Sequence, residues 1–101
     1  MVTIDGKNYE LIKNVKDAFD ISDIEGKITE YYDNFDYILG DYAYGKVRLK
    51  GFNDKTNKYY KPINDIKMVD DYVEKCCAYG CKYFILKKLG QFSLKFYTYL
   101  S

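Results

Sequence analysis

Apolar and polar residues alternate at the start of the chain. Val2 and Ile4 come first, then Tyr9 and Leu11, with Asp5-Gly6 between the two pairs. A period of two puts one set of side chains on one face of a strand, and Asp-Gly is a strong two-residue turn signal, so a β-hairpin is predicted. The period then changes. Ile21, Ile24, Ile28, Tyr31, Tyr32 and Phe35 recur at steps of three and four, which paints one apolar stripe along a helix. Ser22 with Glu25 resembles a capping box, and Asp20 is an alternative start. Gly26 lies inside and costs such a helix about 1 kcal/mol relative to alanine.

Two strands follow, Tyr37-Ile38-Leu39 and Lys46 to Phe52. Gly40 and Gly45 between them predict a hairpin with a bulge or a longer turn. In the second strand Val47 and Leu49 point one way and Lys46, Arg48 and Lys50 the other. The polar stretch Asn53 to Asn64, with the single proline Pro62, reads as the longest loop. A second helix starts near Asn64 or Asp65. Its stripe is Ile66, Val69, Val73 and Cys76, with Tyr72 and Cys77 beside it, and Gly80 is placed to stop it. The continuous apolar run Tyr83 to Leu86 predicts a central strand buried on both faces. Phe92, Leu94 and Phe96 predict a last strand. The expected fold is α+β, a single domain over residues 1–101. Two helices pack on a mainly antiparallel sheet in the order ββ-α-ββ-α-ββ.

Composition adds the compartment. No stretch approaches the ~20 apolar residues of a membrane span. The start, MVTIDGKNYE, lacks the basic-then-apolar pattern of a secretory signal. With an odd number of cysteines, a reducing, cytoplasmic setting is expected. The thirteen tyrosines and absent histidine fit AT-rich coding. Charge is unevenly distributed. Asp17 to Asp41 holds eight acidic residues against the single Lys27, whereas Tyr42 to Ser101 holds twelve basic and five acidic ones. Such a split predicts an acidic and a basic face if the fold keeps the segments apart.

Cys76, Cys77 and Cys81 are the only cysteines. A closed zinc site wants four thiolate or imidazole ligands, and the chain offers three cysteines and no histidine. A redox role needs a thiolate, which the C-terminal end of a helix disfavours. A structural role explains more: with Gly80 left-handed past the helix end, Cys81 and Cys76 meet as small hydrophobes that seal it. No metal and no cofactor are therefore expected.

The segments GDYAYGKVRLKGF and CAYGCKYFILKK, with the opening DGKNYELIKNVKDAFD, resemble the YutD-like family of small bacterial proteins. The resemblance covers about Ile4 to Lys88. The chain departs from the family's pattern at Tyr42, where tryptophan is usual, and at Cys76, where an aromatic is usual. The resemblance implies a compact cytoplasmic α/β domain from Gram-positive-type bacteria or their wall-less relatives. It implies no activity, and no catalytic residues carry over.

For function, the strand GDYAYGKVRLKGF is the leading candidate. Lys46, Arg48 and Lys50 would contact phosphates, while Tyr42, Tyr44 and Phe52 would stack on unpaired bases. An RNA or ribonucleoprotein partner follows. The plainer explanation is a solvated face whose lysines protect a sheet edge. Asp33, Asp36 and Asp41 would hold Mg²⁺ only if their carboxylates converge. An acidic helix face docking on a basic protein partner is the alternative to RNA. Catalysis is not expected, since the chain shows no nucleophile elbow, no P-loop and no histidine.

Overall fold

Phe84, Ile85 and Leu86 are successive, so their side chains leave opposite faces of any strand they form. In the computed structural model, which describes residues 1–76 and 82–89, all three are buried. Their strand, β5 (Tyr83–Lys88), pairs antiparallel with β2 (Lys7–Val15) on one side and β3 (Tyr37–Ala43) on the other. With β1 (Val2–Ile4) and β4 (Lys46–Phe52), the sheet has the order β1-β2-β5-β3-β4. The expected central strand is in place, and among the described residues β4 is an edge. Two short helices, α1 (Ile21–Ile24) and α2 (Val69–Cys76), complete an α+β fold. The stop at Gly80, Cys77, Cys81 and the last strand around Phe92 lie outside the described residues.

A sheet buried at its centre on both faces needs two covers. Ala18, Ile24 and Ile28 pack with Ile4, Tyr9, Ile38, Phe84 and Leu86 on one face. Ile66, Val69, Tyr72 and Val73 pack with Leu39, Phe52 and Ile85 on the other. The helices therefore take opposite faces. No helix among the described residues is long and apolar enough to cross a membrane.

The first hairpin forms as expected on Asp5-Gly6, both with positive φ. The predicted long helix does not form. Asp20 caps α1 by accepting from Ser22 N–H, and the helix ends at Ile24. Gly26 takes φ +80°, a conformation that helix cannot include. The Asp5 carboxylate accepts the N–H groups of Gly26 (2.9 Å) and Ile28 (3.2 Å), which satisfies them without a helical ladder. A 3₁₀ turn, Glu30–Asn34, follows. Ile24 and Ile28 still reach the core, but Ile21 and Tyr31 are exposed.

The β3–β4 connection is also tighter than predicted. Ala43 pairs with Lys46 around the two-residue turn Tyr44-Gly45. Gly40 lies in β3, where the flat Phe84 ring rests on it. A Cβ there would come within 2.1 Å of the ring. Gly40→Ala should lower stability by about 1–3 kcal/mol, because the buried ring has no room to withdraw. Urea unfolding should show a lower midpoint at an unchanged slope, and an unchanged midpoint would refute the packing argument.

Candidate interaction groove at the sheet edge

The alternation of β4 places Lys46, Arg48, Lys50 and Phe52 on the α2 side of the sheet, and Val47, Leu49 and Gly51 on the α1 side. Lys46, Arg48 and Lys50 thus share a face, as expected. Their surroundings differ. Arg48 donates from Nε and Nη2 to Asp41 at 3.0 and 2.7 Å, a two-point bond across the strand pair. The Asp41 side chain is 2% exposed and that of Arg48 46%, so the guanidinium offsets a buried charge. The Lys50 ammonium lies 5.4 Å from the Phe52 ring centre and 5.5 Å from that of Tyr72, a cation–π arrangement. Lys46 projects outward. Neither lysine has a carboxylate partner among the described residues.

The aromatic half of the expected surface is rearranged. Phe52 is buried beside Leu39 and Ile85, so it cannot stack on a base. An apolar residue ending an edge strand beneath a helix belongs to the core. Tyr42 lies on the opposite face from the cations. Its hydroxyl is 2.7 Å from Asp23 and 3.1 Å from the Ala18 carbonyl, and its one proton goes best to the closer carboxylate. The Lys82 ammonium sits 4.4 Å over its ring. Tyr44, at the hairpin tip, is fully exposed.

Other aromatic residues lie near β4. Tyr31, Phe35 and Tyr72 flank Arg48, Leu49, Lys50 and Gly51, and with Asn64 they line an open groove of about 370 Å³. Phe35 packs on Gly51 from the α1 side, where a Cβ would meet its ring at 2.2 Å. Tyr31 stacks at an angle on Phe35, ring centres 5.5 Å apart. Tyr72 forms the wall on the α2 side, edge-on to Phe52 at 5.8 Å. The strand pattern alone could not assemble this groove, because its walls come from segments distant in sequence. The clustered Tyr31, Tyr32 and Phe35 were a signal, but helical periodicity assigned all three to the core.

The end of the groove is fixed by the polar loop. Asn53, fully buried, accepts from Asp36 N–H at 2.8 Å and from Asn57 Nδ2 at 3.1 Å. Its backbone N–H donates to the Asn64 carbonyl at 2.7 Å, and its carbonyl accepts from Ile66 N–H at 3.0 Å. Asp65, between them, accepts from Lys67 N–H and from the Tyr60 hydroxyl. Those bonds hold its carboxyl below the usual carboxylate range.

The acidic candidates do not converge. Asp33 pairs with Lys7 at 2.6 Å, Asp36 accepts from Asp54 N–H at 2.9 Å, and Asp41 holds Arg48. Each carboxylate has its own partner, so the three do not make a Mg²⁺ site. Of the cysteines, only Cys76 falls within the described residues, as the last residue of α2.

A family model described as "YutD-like: Putative antitoxin YutD-like" matches residues 3–87. "Putative antitoxin YutD" of Bacillus subtilis (strain 168) is 36% identical over 89 residues, covering 88% of this chain and 98% of that protein. The solution NMR structure of protein yutD from B. subtilis is similar with a TM-score of 0.71 at 36% identity, over 88% of this chain and 81% of that one.

Two outcomes test this geometry. Replacing Arg48 by Met leaves Asp41 without its guanidinium and should cost about 1–3 kcal/mol, whereas Lys46→Met should change stability by less than about 0.5 kcal/mol. Equal unfolding midpoints for the two variants would show that Arg48 is not structural. Separately, burial first pushes the Tyr9 and Tyr42 hydroxyls from 10.0 up to about 12, aided by Asp33 and Asp5 for Tyr9 and by the Asp23 hydrogen bond for Tyr42. Folded chains keep these protons where unfolded chains lose them. The resulting stability is full below pH 10 and is lost as pH rises towards about 12. Ultraviolet titration should resolve a late-ionising class of tyrosines that shrinks in Tyr42→Phe; a single transition near the ordinary tyrosine value would contradict it.

Proposed function

Since this chain belongs to the YutD-like family, we propose that it is a small non-catalytic binding module that holds a partner protein against the β4 groove. The relative is named "Putative antitoxin YutD", which is compatible with a non-catalytic binding role. One observation carries the reading. The apolar faces at the centre of the sheet are covered, while among the described residues the β4 edge stays open between the aromatic walls of Tyr31, Phe35 and Tyr72. Aromatic residues are enriched at protein-binding surfaces.

The groove favours a protein over RNA. Stacking on bases needs free rings beside the cations. Phe52 is buried and Tyr42 faces the other way, so of the expected rings only Tyr44 remains, and the rings that line the groove are packed on other rings, Tyr31 on Phe35 and Tyr72 on Phe52. The groove also supports the reading better than an acidic helix does. The acidic stretch is split between α1 and the 3₁₀ turn, and Asp20, Asp23 and Asp33 bond to Ser22, Tyr42 and Lys7.

Tagged protein should recover a protein partner from lysate of the native organism, and recovery should survive nuclease. A Lys46→Glu, Lys50→Glu, Tyr72→Ala variant, verified as folded, should lose the partner; Arg48 is left intact because it is structural. A Glu25→Lys, Glu30→Lys variant should keep it. Recovery abolished by nuclease would overturn the reading in favour of RNA, and loss only in the Glu25, Glu30 variant would move the surface to the acidic side.

A further inference from the structure

We infer that the β4 groove takes its partner as an added β-strand, an extended segment with carboxylates at alternate positions. This rests on the protein-binding reading above and specifies how the partner is held. Ala43 and Lys46 close the two-residue turn, so Lys46, Arg48 and Lys50 exchange backbone hydrogen bonds with β3. The intervening Val47, Leu49 and Gly51 turn their N–H and C=O groups away from the sheet. Asn53, next in that alternation, shows what such groups do when met. Its N–H and C=O bond to Asn64 and Ile66, a parallel bridge on the outer side of β4. The chain has thus laid down one residue of the next strand and stopped. Asn64 lines the groove with Leu49 and Gly51, and among the described residues the position beside Leu49, in line with that bridge, is open. Among the described residues nothing bonds to the outward groups of these two.

Charge selects the occupant. An antiparallel pairing with a second copy of β4 across a two-fold axis sets Lys46, Arg48 and Lys50 against the same row, and like charges directly opposite are destabilising. The edge therefore disfavours its own copy. A segment with carboxylates on the α2 side meets Lys46 and Lys50, and its other side chains lie against Leu49 and the Phe35–Tyr31 pair. Main-chain hydrogen bonds would supply affinity and the alternate side chains specificity, as in other cases of strand addition.

The probe is a synthetic peptide of alternating glutamate and valine, titrated into isotopically labelled full-length protein and followed by NMR. Shifts should centre on β4, and the amides of Val47 and Leu49 should gain protection from hydrogen exchange. The same peptide N-methylated at alternate residues, which removes donors but keeps side chains, should bind at least about tenfold more weakly, as loss of two hydrogen bonds requires. The Lys46→Glu, Lys50→Glu variant should reject it and bind the lysine–valine analogue. Equal binding of the methylated peptide would overturn strand addition while leaving the groove as a side-chain docking site. Absence of any β4 shift at millimolar peptide would overturn the inference outright. Dimerisation through β4, seen by sedimentation, would overturn the charge argument. Failure of the broader reading shows separately, as partner recovery unaffected by the groove variant.

Discussion

Everything in this fold follows from the apolar run in β5. Because Phe84 and Leu86 face one way and Ile85 the other, the strand is stable only with neighbours on both sides and covers on both faces. The chain supplies the neighbours from β2 and β3, and the covers from the two helical segments. β4 lies at the end of the sheet, paired among the described residues with β3 alone. Burying the middle strand completely leaves an edge, and it is the edge that carries the groove. Gly40 contributes to this arrangement by letting the Phe84 ring close on β3.

Two uses of positive charge meet on that edge. Arg48 is part of the architecture, locked to a carboxylate inside the sheet, and its planar fork suits the two-point bond. Lys46 and Lys50 project their ammonium groups without carboxylate partners among the described residues, and Lys50 lays its charge over aromatic faces. Three cations at identical spacing therefore do different things, and their neighbours distinguish them. Asp41 lies opposite Arg48, Leu39 opposite Lys50 and Ala43 opposite Lys46.

This shows where reading the sequence succeeds and where it stops. The Asp5-Gly6 hairpin, the alternation of β4 and the central β5 were legible because each depends on residues within a few positions of one another. The break at Gly26 was only half legible. The cost of the glycine was visible, but the Asp5 carboxylate that captures the freed N–H groups comes from 21 residues earlier. Phe52 and Tyr42 were misplaced because periodicity gives the face of a strand and not what covers it. The groove was invisible for the same reason: strand order makes β4 an edge, and Tyr31 and Tyr72 reach it from opposite sides of the sheet. The YutD-like resemblance was legible in the segments around Gly40 and Gly51, two residues on which aromatic rings rest.

The contact between Asp5 and the backbone of Gly26 and Ile28 joins the first turn of the chain to the cover of the first face. Neither partner is stable by itself: a short hairpin is marginal in water, and α1 is a single turn of helix. The two thus form one cooperative unit for local opening. A substitution that loosens the hairpin therefore also loosens the fastening of the cover over Ile24 and Ile28.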